Sequence, residues 1–146
     1  MKKKQYNFKI VSFYRFVPID NKKKIKEVLD QQLKNKKIKG TILLSYEGIN
    51  GSISGYEQDI EEIIKFIKNL LNIRKINKKS NNSNFIPFNR MKVRLKKEIV
   101  SLGVKNNIKK LKSNLVHPSK WNQIIKKKNI KILDVRNKYE IEIGRF

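Results

Sequence analysis

The centre of the sequence reads Thr41-Ile42-Leu43-Leu44-Ser45-Tyr46-Glu47-Gly48-Ile49-Asn50-Gly51-Ser52-Ile53-Ser54. Its first six residues are mostly apolar, which predicts a strand buried on both faces. Asn50-Gly51 is a strong signal for a two-residue hairpin turn, because this pair accepts the positive φ angles that such a turn requires. Ser52-Ile53-Ser54 would then form a short return strand, so we expect a β-hairpin here.

The residues before this hairpin predict a strand followed by a helix. Phe8–Phe16 is rich in β-branched and aromatic residues, which is typical of a strand. Asp20 or Asn21 can cap a helix whose apolar side chains recur with a period of 3.6 residues, and Gly40 would end it. Those apolar side chains are Ile25, Val28, Leu29 and Leu33.

The residues after the hairpin predict a second helix and a fourth strand. Glu57 and the acids that follow it suit a helix N-terminus, and Ile73–Ile76 reads as a strand. The buried stripe of the helix would be Ile60, Ile63, Ile64, Ile67, Leu70 and Leu71. The order β-α-β-β-α-β is that of the split-βαβ, ferredoxin-like fold of the α+β class. Both helices would cover one face of an antiparallel sheet and leave the other face free.

Beyond this unit, the sequence alternates between polar and apolar segments. Asn77–Asn84 is polar and of low complexity, which predicts a loop. From Arg90 to Leu102, Lys and Arg alternate with apolar residues, which predicts a half-exposed strand with one basic face. A short helix should follow Pro118, and Ile130–Val135 reads as a further strand. We therefore divide the chain into a domain at 1–100, a basic linker at 101–117 and an incomplete second domain at 118–146.

The charge of the chain points to a polyanionic partner. The 36 Lys and Arg against 12 Asp and Glu give a net charge of +24, and a surface of this kind attracts nucleic acid or an acidic membrane. The alternative is compositional drift, since 30 Lys, 22 Ile and 17 Asn are residues that an AT-rich genome favours. The distribution of the charged residues along the chain is more informative than their total number. Residues 41–64 contain five acids and no Lys or Arg, whereas residues 105–131 contain nine Lys and no acid.

Several classes of chemistry are absent from the sequence. There is no cysteine, which excludes disulfides, thiolate metal sites and nucleophilic thiols. A single histidine, His117, makes a zinc site implausible, and we read it as a loop residue. No signal peptide or membrane-spanning run is evident, so we expect the cytoplasm or an organelle matrix and no membrane partner.

Three segments and a shorter one resemble a single family. They are GTILLSYEGINGSISG at 40–55, PFNRMKVRLKKEIV at 87–100, LDVRNKYEIEIG at 133–144 and SFYRF at 12–16. Together they resemble the rhodanese-related proteins that hydroxylate the wobble uridine of tRNA. The resemblance implies a ferredoxin-like, tRNA-docking domain followed by an α/β rhodanese domain, with tRNA as partner. It also implies that uridine 34 is converted to 5-hydroxyuridine with molecular oxygen as co-substrate and no other cofactor in the chain.

The same resemblance implies that a catalytic part is missing. In the family, a Cys-x-Gly-Gly-x-Arg-Cys loop lies well downstream of the Asp-Val-Arg strand, and the chain stops at Phe146 before it. We therefore expect no catalytic residue and no activity of the chain alone, and we expect a separately encoded C-terminal half as a partner. Two alternatives remain: a non-catalytic RNA-binding remnant, and a sulfurtransferase-related subunit. A hydrolase of the acylphosphatase type is suggested by the fold pattern alone.

Three sets of residues are candidates for function. The RNA-binding candidates are Arg90, Lys92, Arg94, Lys96 and Lys97. Alternation places the first four on one face of the strand, and the alternative is a solvated strand face. The candidates for an active-site or RNA-facing turn are Glu47, Gly48, Asn50 and Gly51, which could equally form a plain hairpin. The rhodanese-like structural motif comprises Asp134, Arg136 and Glu140, with Arg136 and Glu140 expected as an ion pair. Tyr14, Tyr46, Phe85 and Phe88 could stack on bases, although aromatic residues at strand positions are more often core.

Overall fold

The computed structural model describes residues 7–99, 116–134 and 136–144, which fall into two separate units. The first unit contains β1 (Phe8–Phe16), α1 (Lys22–Leu33), β2 (Lys39–Ser45), β3 (Gly48–Gly55), α2 (Glu57–Leu70), β4 (Asn77–Ser83) and β5 (Met91–Leu95). The second contains α3 (Pro118–Ile125) and α4 (Lys138–Ile143).

The first unit is a five-stranded sheet in the order β4-β1-β3-β2-β5. Neighbouring strands are antiparallel except β2 and β5, which are parallel. Strands β1 to β4 with the two helices form the predicted ferredoxin-like arrangement, and β5 extends it at the β2 edge. The prediction of an α+β, ferredoxin-like domain is therefore confirmed.

One face of the sheet forms the core with α1 and α2. Residues two apart along each strand share a face, and the core residues of neighbouring strands pair in register, as Val11 does with Ile53 and Ile42 does with Val93. The helices contribute Leu29, Leu33, Ile60, Ile63 and Ile67, all buried. The predicted helix stripes are thus confirmed, and the opposite face of the sheet carries the alternate residues. We call it the open face.

The start of α1 agrees with the sequence, but its end does not. The Asn21 side chain accepts a hydrogen bond from the Lys24 amide at 3.2 Å and caps the helix. The helix ends at Leu33, so the prediction that Gly40 ends it is wrong. Gly40 lies in β2 with a φ of 137°, where a Cβ would stand 2.2 Å from the Ser52 carbonyl oxygen. Glycine is used there because the neighbouring backbone leaves no room for a side chain.

The predicted turn at Asn50-Gly51 is also wrong. Strands β2 and β3 are joined through Tyr46 and Glu47, with Ser45 paired to Gly48. Asn50 and Gly51 lie inside β3. Gly51 faces the core, and a Cβ there would be 2.6 Å from the Phe13 ring. The glycine therefore makes space for an aromatic side chain of the next strand rather than for a turn.

The fourth strand lies in a segment that the sequence predicted as a loop. Ile73–Ile76 is not a strand, whereas the polar stretch Asn77–Ser83 forms β4 and pairs with β1 from Tyr14 to Phe8. Only Ser83 of this strand is buried. An edge strand pairs through its backbone and buries few side chains, so its polar composition gave no strand signal. The strand predicted from Arg90 is shorter, Met91–Leu95, and the predicted linker at 101–117 lies almost wholly outside the described residues.

The second unit has the predicted helix after Pro118 but not the predicted strand. Residues 130–134 are not assigned to a strand, and Ile132 and Leu133 are exposed. A strand needs neighbours to satisfy its backbone groups, and the described residues of this unit provide no neighbouring strand for the apolar run.

Candidate nucleic-acid interface

The basic residues of β5 lie at the edge of the open face. Lys92 pairs with Thr41 and Arg94 pairs with Leu43, whereas Val93 pairs with Ile42 in the core. Alternation therefore points Lys92 and Arg94 away from the helices. The side chain of Arg94 is exposed and that of Lys92 is half-buried. The predicted basic strand face is present for these two residues.

The other three candidates flank β5. Arg90 precedes the strand, and its carbonyl accepts a hydrogen bond from the Gly40 amide at 3.1 Å. Lys96 follows the strand, and its amide donates to the Leu44 carbonyl at 2.8 Å. The Lys96 carbonyl accepts a hydrogen bond from the Lys22 ammonium at 2.9 Å. Arg90, Lys96 and Lys97 are exposed. Alternation places Arg90 and Lys96 in one row with Lys92 and Arg94 along the β5 edge, and Lys97 follows directly after that row.

The cations along β5 repel one another, and Lys92 is the residue most affected. Its pKa is lowered from the ordinary value, first by the charge of Arg90, then by partial desolvation and then by the charge of Arg94. An anion placed among the three side chains would relieve this repulsion. The geometry thus favours a phosphate-sized anion at this edge.

Four of the five acids of residues 41–64 lie on α2, on the helix side of the sheet. Lys9 pairs with Glu57 and also with Glu61, at 3.6 Å. Lys36 pairs with Asp59 at 3.4 Å and with Glu62. All four acids belong to α2, which covers the core-facing side. The acids are thereby neutralised locally and kept away from the open face.

The candidate turn residues serve mainly to fasten the backbone. The carbonyl of Glu47 accepts a hydrogen bond from the Val17 amide at 2.9 Å, and its carboxylate accepts one from the Ile99 amide at 3.1 Å. Gly48 has a φ of 142°, and a Cβ there would be 2.0 Å from the Arg15 carbonyl oxygen. These contacts favour the plain structural reading for Glu47 and Gly48.

The other two candidate turn residues, Asn50 and Gly51, lie inside β3 and not in the turn. Gly51 faces the core, as described above. Asn50 lies on the open face between Tyr14 of β1 and Leu43 of β2. Only Asn50 of the four is thus placed where it could face a ligand on the sheet.

Several aromatic side chains that the sequence pattern assigned to the core are exposed. Tyr14 is 47% exposed and Phe16 is 41% exposed, and their rings meet edge to face with centroids 6.3 Å apart. Tyr46 and Phe85 are also exposed, so the preference for a core position is wrong for Tyr14, Tyr46 and Phe85. Period-two alternation carries the missing signal, because Tyr14 and Phe16 share parity with the polar Ser12 and not with Phe13.

The motif of the second unit is built from local contacts. The Arg136 guanidinium pairs with Asp134, with an Nη2–Oδ2 distance of 2.6 Å. A hydrogen bond from this side chain, with one from the Arg136 amide, lowers the pKa of Asp134. The Glu140 carboxylate accepts a hydrogen bond from the Asn137 amide at 2.9 Å and completes a capping box for α4. The expected pairing of Arg136 is therefore made with Asp134, and Glu140 acts as a helix cap whose charge also raises the pKa of Arg136.

His117 also has a local capping role. Its Nδ1 lies 2.8 Å from the Ser119 hydroxyl and 3.4 Å from the Ser119 amide, at the N-terminus of α3. The loop reading of His117 is thus refined to a helix cap. No helix within the described ranges has the length and apolar composition needed to cross a membrane.

Comparison with known proteins agrees with this architecture. Residues 8–99 match the family described as the UPF0176 acylphosphatase like domain. A protein of Wolbachia pipientis from Culex pipiens named tRNA uridine(34) hydroxylase is 36% identical over 140 residues, covering 96% of this chain and 50% of the relative. Proteins of the same name from Prochlorococcus marinus and Rickettsia bellii are each 41% identical, covering 98% and 94% of this chain but 46% and 56% of their own lengths. The chain spans about half the length of these curated relatives.

A solved structure extends the comparison to the fold alone. The dark-state structure of the BLUF protein BlrB has a TM-score of 0.50 and 13% identity, over 62% of this chain and 74% of that one. Identity this low supports no statement about activity. Sequence family and sheet topology agree, and the chain belongs to the family of the UPF0176 acylphosphatase like domain.

Proposed function

We propose that this chain belongs to an enzyme that hydroxylates the wobble uridine 34 of tRNA, and that the unit at 7–99 docks the tRNA. The observation that carries the proposal is the row of bases along β5, on a sheet face opposite to the acids of α2. The names of the relatives, tRNA uridine(34) hydroxylase, indicate the substrate. Because the bases of β5 and the acids of α2 lie on opposite sides of the sheet, the electrostatic field would guide a polyanion to the open face and not to the helices.

The proposed reaction converts uridine to 5-hydroxyuridine with molecular oxygen as co-substrate, as in the family that the sequence resembles. The 146 residues contain no cysteine, so the loop cysteine of that family has no counterpart among them. We therefore expect the purified chain to bind tRNA without turning it over. Activity should require a rhodanese-like half supplied in trans, and the expected location is the cytoplasm or an organelle matrix.

A non-catalytic RNA-binding role is the second candidate, because the row of bases along β5 could hold phosphates without any catalytic group. A single assay distinguishes the two candidate functions. Purified chain is incubated with undermodified tRNA, with and without the C-terminal half of a relative, and the nucleosides are analysed by mass spectrometry. 5-Hydroxyuridine that forms only with the added half supports the enzyme, whereas none in either case supports the binding role.

The docking surface is tested by salt titration of tRNA binding. Arg94→Gln should weaken binding similarly for all tRNAs and reduce the slope of log K against log salt by roughly 0.7 to 0.9, the value for one lost phosphate contact. Lys65→Gln is the control, because Lys65 is exposed on α2, on the opposite side of the sheet from the open face. Heparin is measured in parallel. Equal effects of both substitutions on both ligands would mean that the charge is compositional, and docking through β5 would be wrong.

A further inference from the structure

The open face carries a continuous polar row between two cationic edges. Lys79 of β4 pairs with Ser12, Ser12 with Ser52, Ser52 with Thr41, and Thr41 with Lys92 of β5. The hydroxyls of Ser12 and Ser52 lie 2.9 Å apart. Four strand spacings of about 4.8 Å separate the two lysines, or roughly 19 Å. The row thus crosses the whole sheet with a cation at each end.

A second row of paired residues runs beside the first and contains the aromatic residue Tyr14. Asn77 pairs with Tyr14, Tyr14 with Asn50, Asn50 with Leu43, and Leu43 with Arg94. The Tyr14 ring is 47% exposed on a surface of amides and hydroxyls. A large aromatic side chain left half in water offers a flat face on which a base can stack, and base–aromatic stacking tolerates any sequence.

Two depressions mark the ends of these rows. One, of about 310 Å³, is lined by Ser12, Phe13, Tyr14, Asn50, Asn77, Lys78 and Lys79. The other, of about 630 Å³, is lined by Gly40, Thr41, Pro87, Phe88, Asn89, Arg90 and Lys92. Each combines an aromatic ring with cations, which is the chemistry of a nucleotide: a flat base and a phosphate. Ser12, Ser52 and Thr41 connect the two depressions along the first row.

We propose that the open face binds unpaired RNA nucleotides, with a base stacked on Tyr14 and the phosphates held by Lys79 at one edge and by Lys92 and Arg94 at the other. Hydroxyl and amide side chains between the edges can hydrogen-bond to base edges and to the 2′-hydroxyl. The inference rests on the proposed function, since it takes this RNA to be a single-stranded loop of the same tRNA.

The sheet surface favours single strands over helices. Stacking on Tyr14 requires a base whose face is free, and in a duplex both faces are covered by neighbouring bases. Double-stranded RNA is recognised by its shape and its minor-groove hydroxyls. Other RNA-binding modules use aromatic residues on a four-stranded sheet to stack two or three bases. That likeness is an analogy of fold; in this chain, single-strand binding depends on Tyr14 and the two cationic edges.

The test uses the full 146-residue chain and fluorescence anisotropy with a labelled oligouridylate of about ten nucleotides, within the site sizes of about 4 to 16 nucleotides known for single-strand-binding domains. We expect the oligouridylate to bind more tightly than an RNA duplex of the same length. Tyr14→Leu should weaken binding about tenfold, the size of one lost stacking contact, and Tyr14→Phe should retain it. Tyr46→Leu is the matched control, because Tyr46 is exposed in the β2–β3 turn beside Lys22.

Lys79 and Lys65 provide an independent pair, since Lys79 lies on the open face and Lys65 is exposed on α2, on the opposite side of the sheet. Lys79→Gln should lower the salt slope for the oligouridylate by roughly 0.7, and Lys65→Gln should leave it unchanged. This comparison keeps the proposal testable if Tyr14→Leu does not fold. Equal binding of duplex and single strand, equal binding of oligodeoxyuridylate, or equal slopes for the two lysine variants would each overturn the proposal. If the chain binds tRNA, Arg94→Gln loses that binding, and the chain does not bind the oligouridylate, this inference alone is refuted. If the chain binds neither tRNA nor the oligouridylate, the proposed function is refuted.

Discussion

Two leucines show how differently the two units use the same kind of residue. Leu44 is fully buried in β2, between β3 and β5, whereas Leu133 is 83% exposed in a segment that the sequence also predicted as a strand. The first unit is held by contacts between distant residues, such as Glu47 with Ile99. In the second unit, by contrast, Asp134 and Arg136 lie only two residues apart and are joined by hydrogen bonds. An apolar run becomes a strand only where other strands pair with it.

The largest expected difference is in amide hydrogen exchange. The amides of Ile42 and Leu44 should exchange only through global unfolding of the first unit, because β2 lies between two strands. The amides of Ile132 and Leu133 should exchange near the rate of an unfolded chain. Exchange of the purified chain followed by NMR measures both. Slow exchange at Ile132 in a monomer would show that the second unit is folded on its own.

Truncation of the two leucines should change the free energy of unfolding by very different amounts in the two units. Leu44→Ala should destabilise the first unit by about 2 to 5 kcal/mol, because it removes buried methyl groups and leaves a cavity. Leu133→Ala should change stability by less than about 0.5 kcal/mol, as exposed substitutions do. Urea unfolding monitored by fluorescence and circular dichroism gives both values. Similar losses for the two variants would mean that Leu133 is buried in solution.

Removal of a long-range contact should matter more than removal of a local one. Glu47→Ala should lower the stability of the first unit by about 1 kcal/mol, since the Ile99 amide loses its acceptor. Glu140→Ala breaks only the capping box of α4 and should leave the unfolding midpoint of the first unit unchanged. The comparison fails if both variants shift that midpoint equally.

The smallest effect is expected from pH. Lys36 lowers the pKa of Glu62 below its ordinary value of 4.5, first through a hydrogen bond and then through its charge. A carboxylate with a depressed folded-state pKa contributes stability above its unfolded pKa, and this contribution is lost as the pH falls through the folded value. The effect is small because Glu62 is largely exposed. Lys36→Gln should therefore flatten the decline in stability below pH 4.5, measured by thermal unfolding across acidic pH, and Arg136→Gln should not.

The sequence predicted those elements whose side chains carry the signal. Both helices of the first unit have apolar stripes, and β1 and β2 are apolar or β-branched, so each was located within a few residues. The alternating bases of β5 also placed Lys92 and Arg94 on one face. β4 could not be found this way, because an edge strand of Asn, Lys and Ser is held by its backbone alone.

What the sequence by itself determined is the ferredoxin-like order of elements, the family and the charge of the chain. Tertiary structure decided which glycines serve as turns and which make room for neighbours, as Gly51 does for Phe13. It also decided that Tyr14 stands on the open face between Asn77 and Asn50. The physical reason is that periodicity along one strand fixes only the face of a residue. Its neighbours across the sheet depend on strand order and register, which arise from packing between segments far apart in the chain.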